Sequence, residues 1–537
     1  MQPEHHEAIY DLAVIGGGIT GAGVARDASL RGLSCLLLEQ GDFGSGTSAK
    51  TTRLIHGGLR YLEQGDLPLV IESLRERELL LHLAPHLIHP MPILLPLYRG
   101  EARKKWQLKL GLRLYDLFSF GKGTPHYAVL EPRAARRKAP HLAADGLVAA
   151  GLFYDYQIAL PERLVLENIV SAREQGAVCC NYQEVVSIAR RMDRFELQVR
   201  DRLNGSTHLV CAQVVVNATG PWADQVCALH LPDLTPKLSP TKGTHLVVAS
   251  DTDHAVFSGA TPDQRLFFTL PLAGMTLVGT TDTPWSGDPG TATADAEDVE
   301  YLLGGLVRLY PGRRFGPDDV LWTYSGIRPL ARQRGSKDPS ALSRHHVLHR
   351  EGPDHRFLTI VGGKYTTFRR MAEDTVDAVC DLVGRRLVST TKTTPLPGGG
   401  FPDPVLLREH LCECAGRFPE LPREEVQHLI SLYGRRCCRI MEMEDEHPHL
   451  RGLLAPGYLD RPSQVVYAVR HEGARTLCDV ILRRLKMGLS PDRGAAGAAA
   501  VATVMAAELG WDETRRREAL EAFHGEVAAE TTLPGRG

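Results

Sequence analysis

The stretch that most constrains this chain is its opening, Ile9 to Glu39, which reads I-Y-D-L-A-V-I-G-G-G-I-T-G-A-G-V-A-R-D-A-S-L-R-G-L-S-C-L-L-L-E. An apolar run, a glycine turn, a helical stretch and a second apolar run ending in an acid predict a β-α-β unit. Gly16, Gly18 and Gly21 form the pattern G-x-G-x-x-G. The first glycine allows the tight turn, the second lets backbone approach a pyrophosphate, and the third lets the helix pack on the strand. The helix start then offers unpaired N–H groups and the positive end of its dipole to that pyrophosphate. Glu39, 18 residues after Gly21, is placed to accept hydrogen bonds from ribose hydroxyls and disfavours the extra phosphate of NADP. The choice left is FAD or NAD.

The chain has 537 residues, enough for a large core and more than one domain. Its 62 basic and 64 acidic residues, net charge -2, exclude a global field for nucleic acid. Eleven cysteines include the pairs Cys179/Cys180 and Cys437/Cys438 and the C-x-C of Cys412 and Cys414, without paired C-x-x-C units. They read as reduced thiols in a cytoplasmic protein, with no metal site and no disulfide framework. The first nine residues carry His5, His6 and two glutamates and offer no secretory leader before the first strand. The Ala-rich run Gly494 to Ala507 falls short of the roughly 20 residues a membrane span needs.

A polar loop rich in Gly, Ser and Thr follows from Gly41 to Leu62, in the manner of backbone wrapping a ligand. A helix is expected over Leu67 to Leu83, then short edge strands or turns over the proline-punctuated His86 to Pro96. Residues 147 to 160 alternate, and Val185 to Val216 predicts a β-meander with a turn at Asn204-Gly205. Residues 236 to 330 predict a second, mostly antiparallel sheet, with strands at Leu246 to Val248, Arg265 to Leu270 and Met275 to Thr280. A strand over Arg356 to Val361 runs into Gly362-Gly363-Lys364 and a helix over Tyr365 to Val383, which return to the nucleotide part.

This gives an α/β body over 1–392. Its nucleotide-binding part is discontinuous, roughly 9–85, 150–235 and 325–390, and its substrate part covers roughly 86–149 and 236–324. Thr393 to Pro404, with four prolines and three glycines, reads as a linker. A helical domain follows over 405–537, with helices at Val405 to Phe418, Glu424 to Tyr433, Gln464 to Lys486 and Gly494 to Leu509. Its basic strip Arg483-Arg484-Leu485-Lys486 reads as a solvated helix face.

Arg53-Leu-Ile-His56-Gly57-Gly58-Leu-Arg60-Tyr61 places an imidazole, two guanidinium groups and a phenol beside two glycines. Arginine offers a planar fork for phosphate or carboxylate, and histidine can take a proton near neutral pH. Arg328, after a strand-like segment, and Lys364, where a strand turns into a helix, add two cations at loop edges. In folds whose ligands collect at the carboxyl ends of strands, these point to an anion pocket.

The motifs G-G-G-I-x-G-A-G, L-I-H-G-G-L-R-Y-L-E, F-Y-D, N-A-T-G-P-W, K-G-T-H-L-V-V, G-T-T-D-T, W-T-Y-S-G-I-R-P-L, G-G-K-Y-T-T-F-R and L-P-G-G occur in this order. Together the chain closely resembles the FAD-dependent glycerol-3-phosphate dehydrogenases, within the glycine-oxidase-like flavoproteins. The resemblance implies a Rossmann-like FAD domain, an antiparallel substrate domain and a helical C-terminal domain. It implies oxidation of sn-glycerol 3-phosphate to dihydroxyacetone phosphate, with hydride passing from C2 to flavin N5.

His56 matches the family histidine near the C2 hydroxyl and is the first candidate for the base. Arg60, Arg328 and Lys364 match the cations around substrate, and Tyr61 and His245 are candidates for the pocket wall. For FAD, the resemblance assigns Gly16, Gly18, Gly21 and Glu39 to the ADP half, Thr47 and Ser48 to the diphosphate, and Ala218, Gly220 and Trp222 to a second strand end. Gly362 and Gly363 would bring N–H groups to the flavin ring. The run Ala49-Lys50-Thr51-Thr52-Arg53 departs from the more serine-rich family pattern.

Residues 99–118 carry six basic residues and one acid between Arg99 and Arg113, with Trp106 and several leucines interleaved. This suits an anionic bilayer surface, and family members commonly work at the inner face of the cell membrane and pass electrons to a quinone. Some relatives reduce oxygen to hydrogen peroxide instead, and others on this scaffold are amine or amino-acid oxidases, whose pockets carry fewer cations. A flavin-binding regulatory subunit would keep the cofactor motifs and lose the pocket cations. The oligomeric state stays open between monomer and homodimer.

Overall fold

A computed structural model describes residues 9–533 except 64, 102, 120, 122, 251, 253, 260–262, 264, 333–344 and 402–403, with backbone alone at 60, 63, 404, 405 and 408. The opening strand Ile9–Ile15 runs parallel between Cys35–Leu38 and Thr207–Asn217. Leu12, Ala13, Val14 and Val214 to Val216 are shut off from solvent, as strands covered on both faces must be. Phe357–Gly362 adds a further parallel strand on Thr207–Asn217, so the chain does return to this sheet. Gln183–Arg191 and Arg194–Asp201 form the expected meander, turning back at Gly205 with φ +78. Helix Ile19–Leu30 packs between Pro161–Glu174 and Phe368–Val383. Gly23 sits at that contact, where a Cβ would come 2.9 Å from Phe368 Cδ2.

Among the described residues the second sheet has ten strands, antiparallel except where Ala255–Ser258 meets His89–Tyr98. Thr241–Val248 lies between Met275–Gly279 and Val320–Arg328. His89–Tyr98 is a ten-residue interior strand rather than the short edge strands its prolines suggested. The reason lies in register. Pro90, Pro92 and Pro96 occupy alternate positions, so their missing N–H groups fall on one edge. The other edge is left for the long ladder with Leu147–Gln157, and Ala255–Ser258 joins only at Ile93 and Leu94. That ladder draws Leu147–Gln157 into the second sheet, and Leu54–Ile55 pairs beside it. Leu54–Ile55, and Leu147–Gln157 apart from its first three residues, come from stretches read by sequence as nucleotide-binding.

Beyond residue 404 the described chain is helical. The single helix expected over Gln464 to Lys486 is two, Pro462–Arg470 and Leu477–Arg483. Gly473 turns at φ +75 between them, and Thr476 restarts the helix as an N-cap bonded to the N–H of Asp479. Two helices lay outside the sequence reading, Cys437–Glu446 and Glu513–Thr531. The expected linker is packed against the body: Gly398 N–H donates to Glu167 at 2.7 Å, and a Cβ at Gly399 would lie 2.0 Å from the Leu83 carbonyl oxygen. Among the described residues no helix is long and apolar enough to cross a membrane.

The strip Arg483-Arg484 is not a solvated face. Arg484 donates twice to Asp42, at 2.6 and 2.8 Å, and Arg483 donates once at 2.7 Å, with Arg484 and Asp42 fully buried. Burial alone would raise the Asp42 carboxyl, but Arg484 and then Arg483 outweigh it and hold it at about 2. A depressed carboxylate stabilises the fold above its unfolded value, and that stability is lost as pH falls through the folded one. The clamp should therefore hold at neutral pH and fail progressively from about pH 4 toward pH 2. Asp42→Asn removes the carboxylate shared by Arg483 and Arg484 and leaves Arg483 on Asp479 and Arg484 on the Asp479 and Glu472 carbonyls; breaking this buried pair is expected to cost up to about 3–5 kcal/mol. A lowered unfolding midpoint together with reduced retained flavin would show it.

Candidate active site

The turn after the first strand is built from contacts only glycine permits. Gly16 has φ +105, and a Cβ there would lie 2.7 Å from the Ala218 carbonyl oxygen; at Gly21 a Cβ would lie 1.9 Å from the Gly16 oxygen. Gly18 opens helix Ile19–Leu30, and Ser48 Oγ accepts from the Ile19 N–H at 2.9 Å. The loop that follows the second strand is thereby drawn over the helix start. Glu39 accepts from Gly17 N–H at 2.6 Å and Gly41 N–H at 2.7 Å. Burial raises its pKa against the pull of those two bonds, and the carboxylate still borders the cavity.

A cavity of about 890 Å³ runs from this turn to the second sheet, a size within the roughly 300–1,000 Å³ of ligand pockets. Gly16, Gly18, Glu39, Thr47, Ser48, Ala218, Gly220 and Trp222 line one end. His56, Tyr61, His245, Arg328, Gly362, Gly363 and Lys364 line the other. Gly21 lies beneath, in its packing role. The side chain of Arg60 lies outside the described residues. Glycine cradle, helix start and carboxylate together fit the ADP half of FAD, and the length of the cavity leaves room for the remainder.

Three expected contacts differ in detail. Thr47 Oγ1 donates to the Ile327 carbonyl at 2.7 Å, tying the polar loop to strand Val320–Arg328. Gly362 N–H donates to the Pro329 carbonyl at 2.9 Å, so the turn leaves Gly363 for an approach to the cofactor. Arg53 is buried with φ +58, bonded to the Ala159 carbonyl and set over the Tyr324 ring. It shapes the loop from behind and does not border the cavity.

The remaining cations converge. Lys364 Nζ stands 4.0 Å from the centre of the Tyr61 ring and donates to Ser73 Oγ at 2.9 Å. Arg328 donates to Asp282 at 3.1 Å, to Thr280 Oγ1 at 2.9 Å and to the Thr281 carbonyl at 3.1 Å, which fixes its fork. Arg265, missed in the sequence, borders the same cavity and flanks Asp282 at 3.5 Å. Arg265 also lies 3.7 Å from Asp263, and Lys364 adds a further cation at this end of the cavity. The G-T-T-D-T motif, Gly279 to Thr283, carried the signal for Thr280 and Asp282.

Two histidines face this end. His56 follows strand Leu54–Ile55, its ring edge-on to Phe268 and its backbone N–H donated to Thr366 Oγ1 at 3.2 Å. Next to it Gly57 N–H meets Tyr115 Oη at 2.9 Å; a Cβ at Gly57 would lie 2.6 Å from that oxygen. His245 stacks on Tyr324 at 4.7 Å with Nε2 at 2.9 Å from Thr52 Oγ1. Burial first, then Arg328 and Arg53, push its pKa well below the ordinary value, so it is a neutral imidazole at physiological pH.

A model of the FAD dependent oxidoreductase family matches residues 11–369, and one for the C-terminal domain of alpha-glycerophosphate oxidase matches 389–516. The chain is 36% identical to a glycerol-3-phosphate dehydrogenase of Synechocystis sp., over 97% of each chain. It is also 36% identical to the mitochondrial glycerol-3-phosphate dehydrogenase of Mus musculus, over 95% of this chain and 72% of that protein. Among solved structures, the glycerol-3-phosphate dehydrogenase of Bacillus halodurans complexed with FAD superposes with a TM-score of 0.80 at 29% identity, over 98% of this chain and 96% of that one. Glycine oxidase from Geobacillus kaustophilus shares the fold at a TM-score of 0.52 and 23% identity, over 72% of this chain and 98% of that one.

Gly243 keeps Arg328 in place, since a Cβ there would lie 2.3 Å from Nη2. Gly243→Ala should displace the guanidinium and lower catalytic efficiency about a hundredfold, the scale of an ångström misplacement. Steady-state rates normalised to bound flavin, with flavin content unchanged, would check this.

Proposed function

This chain belongs to the family of FAD-dependent glycerol-3-phosphate dehydrogenases, and on that premise we propose that it oxidises sn-glycerol 3-phosphate to dihydroxyacetone phosphate and passes the electrons to a membrane quinone. The observation that carries the reading is the pairing, in one cavity, of a glycine-lined nucleotide cradle with Lys364, Arg328 and Arg265. An amine or amino-acid oxidase pocket has no use for so many cations.

FAD, when bound, supplies the hydride acceptor. The chain's own residues do the rest. Lys364 and Arg328 hold the phosphate by charge-assisted hydrogen bonds, which fixes C2 in one orientation. His56 takes the C2 hydroxyl proton as the hydride departs, because loss of hydride alone would leave a protonated ketone. His245, kept neutral by burial and by Arg328, accepts or donates one hydrogen bond at the wall without adding charge. Gly363 and the first turn of helix Ile19–Leu30 hold the cofactor through backbone N–H groups.

Helix Lys105–Phe118 supports peripheral attachment at the inner face of the cell membrane. Leu108, Leu112 and Tyr115 face the core, while Trp106, Leu110 and Leu117 are exposed beside Lys109 and Arg113. A helix with an apolar outer stripe flanked by cations suits a bilayer interface.

Anaerobic mixing with sn-glycerol 3-phosphate should bleach the oxidised flavin, glycerol should not, and bleaching by glycine or sarcosine alone would reject the substrate. Lys364→Met should lower kcat/KM by about ten- to a hundredfold, matching one charge-assisted bond of about 1.5–3 kcal/mol. His56→Gln should slow bleaching about 10²–10⁴-fold. Turnover only with added quinone supports the proposed acceptor, and peroxide formation without quinone supports oxygen. Replacing Trp106, Leu110 and Leu117 by Ser should abolish binding to anionic vesicles and leave dye-linked turnover in solution intact.

A further inference from the structure

Outside the lining of the cavity, the helical C-terminal part gathers three of the eleven cysteines around a histidine. His410 and Cys414, four residues apart on helix Pro404–Arg417, share one face. Cys437 and Cys438 begin the helix Cys437–Glu446, after the turn Gly434–Arg436. Cys414 Sγ lies 3.7 Å from Cys437 Sγ, 3.2 Å from Cys438 Sγ and 3.4 Å from His410 Nε2; Cys437 Sγ lies 3.8 Å from the same nitrogen. All four ligand atoms fall within 4.8 Å of one another.

Three of those four spacings lie within about 0.3 Å of the edges of a coordination tetrahedron, and the 3.2 Å Cys414–Cys438 pair is about 0.6 Å short of one. With Zn–S near 2.3 Å and Zn–N near 2.0–2.1 Å, a regular tetrahedron has S–S edges of about 3.8 Å and S–N edges of about 3.5 Å. A disulfide accounts for only two of the four groups and requires about 2.0 Å. We propose that His410, Cys414, Cys437 and Cys438 bind one zinc ion, which ties helix Pro404–Arg417 to helix Cys437–Glu446.

The surroundings suit that ion. Cys414 and Cys437 are buried, while Cys438 and His410 are half-buried and leave a route from solvent. His410 Nδ1 lies 3.8 Å from the Glu413 carboxylate, the kind of partner that orients a ligating imidazole. Its ring rests against Phe401 at 5.3 Å. Arg417, held by Glu442 at 2.7 Å, stands beside Cys414 and Cys438. On binding, the three thiols release their protons to solvent. Zinc with three thiolates and a neutral imidazole carries one net negative charge, and Arg417, shared with Glu442, is the cation next to it. Soft sulfur donors in tetrahedral array select zinc over the hard cations calcium and magnesium. Cys412, exposed on the same helix and directed toward Arg423, stands apart.

Metal analysis of the full-length flavoprotein, dialysed and measured with its flavin content, should find one zinc per chain. Cys414→Ser and Cys438→Ser should each lower that at least tenfold, with Cys412→Ser retaining it. Should the cluster variants fail to fold, the metal-stripped wild-type protein given cobalt(II) provides the second reading. Tetrahedral thiolate coordination produces intense ligand-field bands at wavelengths beyond the flavin absorption, and stoichiometric zinc should erase them. The proposal is overturned if the reduced, metal-stripped protein takes up neither ion. It is equally overturned if zinc content is the same in the Cys414→Ser and Cys438→Ser variants as in the wild type. Isolation with a Cys414–Cys438 disulfide that reduction does not convert to a zinc-binding form also overturns it.

Discussion

Asp42, buried between Arg483 and Arg484, is the interaction on which the arrangement of this molecule turns. It lies three residues after the carboxylate that borders the nucleotide end of the cavity, and its partners come from the helical C-terminal part. A single charge buried there would be costly; one carboxylate flanked by two arginines is satisfied only while both parts of the chain are in place. A second anchor repeats the principle further along the same loop. Lys50, which borders the cavity, donates to Glu530 on the last long helix at 3.0 Å, and Arg493 reaches the same carboxylate at 2.7 Å. The C-terminal helices thus brace the polar loop that wraps the cofactor.

The cavity is made where the two sheets share that loop. Thr47 ties it to strand Val320–Arg328, Tyr324 Oη donates to the Thr51 carbonyl at 2.7 Å, and Thr52 meets His245. Lys50 crosses Gly326 so closely that a Cβ there would lie 2.6 Å from its own. Each tie fixes the distance between nucleotide cradle and cationic wall. The proposed hydride transfer depends on that distance, because reacting groups must be held close to one geometry.

What was legible in the sequence was local. Helix Leu67–Leu83, the meander ending at Asn217 and the glycine turn all follow from short-range periodicity or from backbone demands at single residues. The cavity residues were legible as motifs, and all but Gly21 and the undescribed Arg60 side chain do line it. What escaped depends on partners distant in the chain. A basic strip looks solvated until Asp42, over four hundred residues earlier, is brought against it. Arg265 looks like a surface charge until Asp282 gathers it beside Arg328. Prolines at alternate positions look like breakers until one edge of the strand proves unneeded. A histidine and three cysteines spread over two helices show no spacing rule, because the turn that joins them in space is formed by packing.

Helix Lys105–Phe118 links the molecular surface to the reacting end through one side chain. Its outer stripe of Trp106, Leu110 and Leu117 meets solvent, and its inner face presents Tyr115. That phenol donates to Asp155 at 2.8 Å and receives the Gly57 N–H, next to His56 in the chain. Arg77 completes the buried group with a 2.5 Å contact to Asp155. Burial raises the Tyr115 pKa well above the ordinary value, so the phenol keeps its proton and remains both donor and acceptor. Any displacement of this helix is therefore one hydrogen bond from the backbone next to the candidate base. The exposed stripe of the helix and the loop that carries His56 are held by the same buried pair, Tyr115 and Asp155.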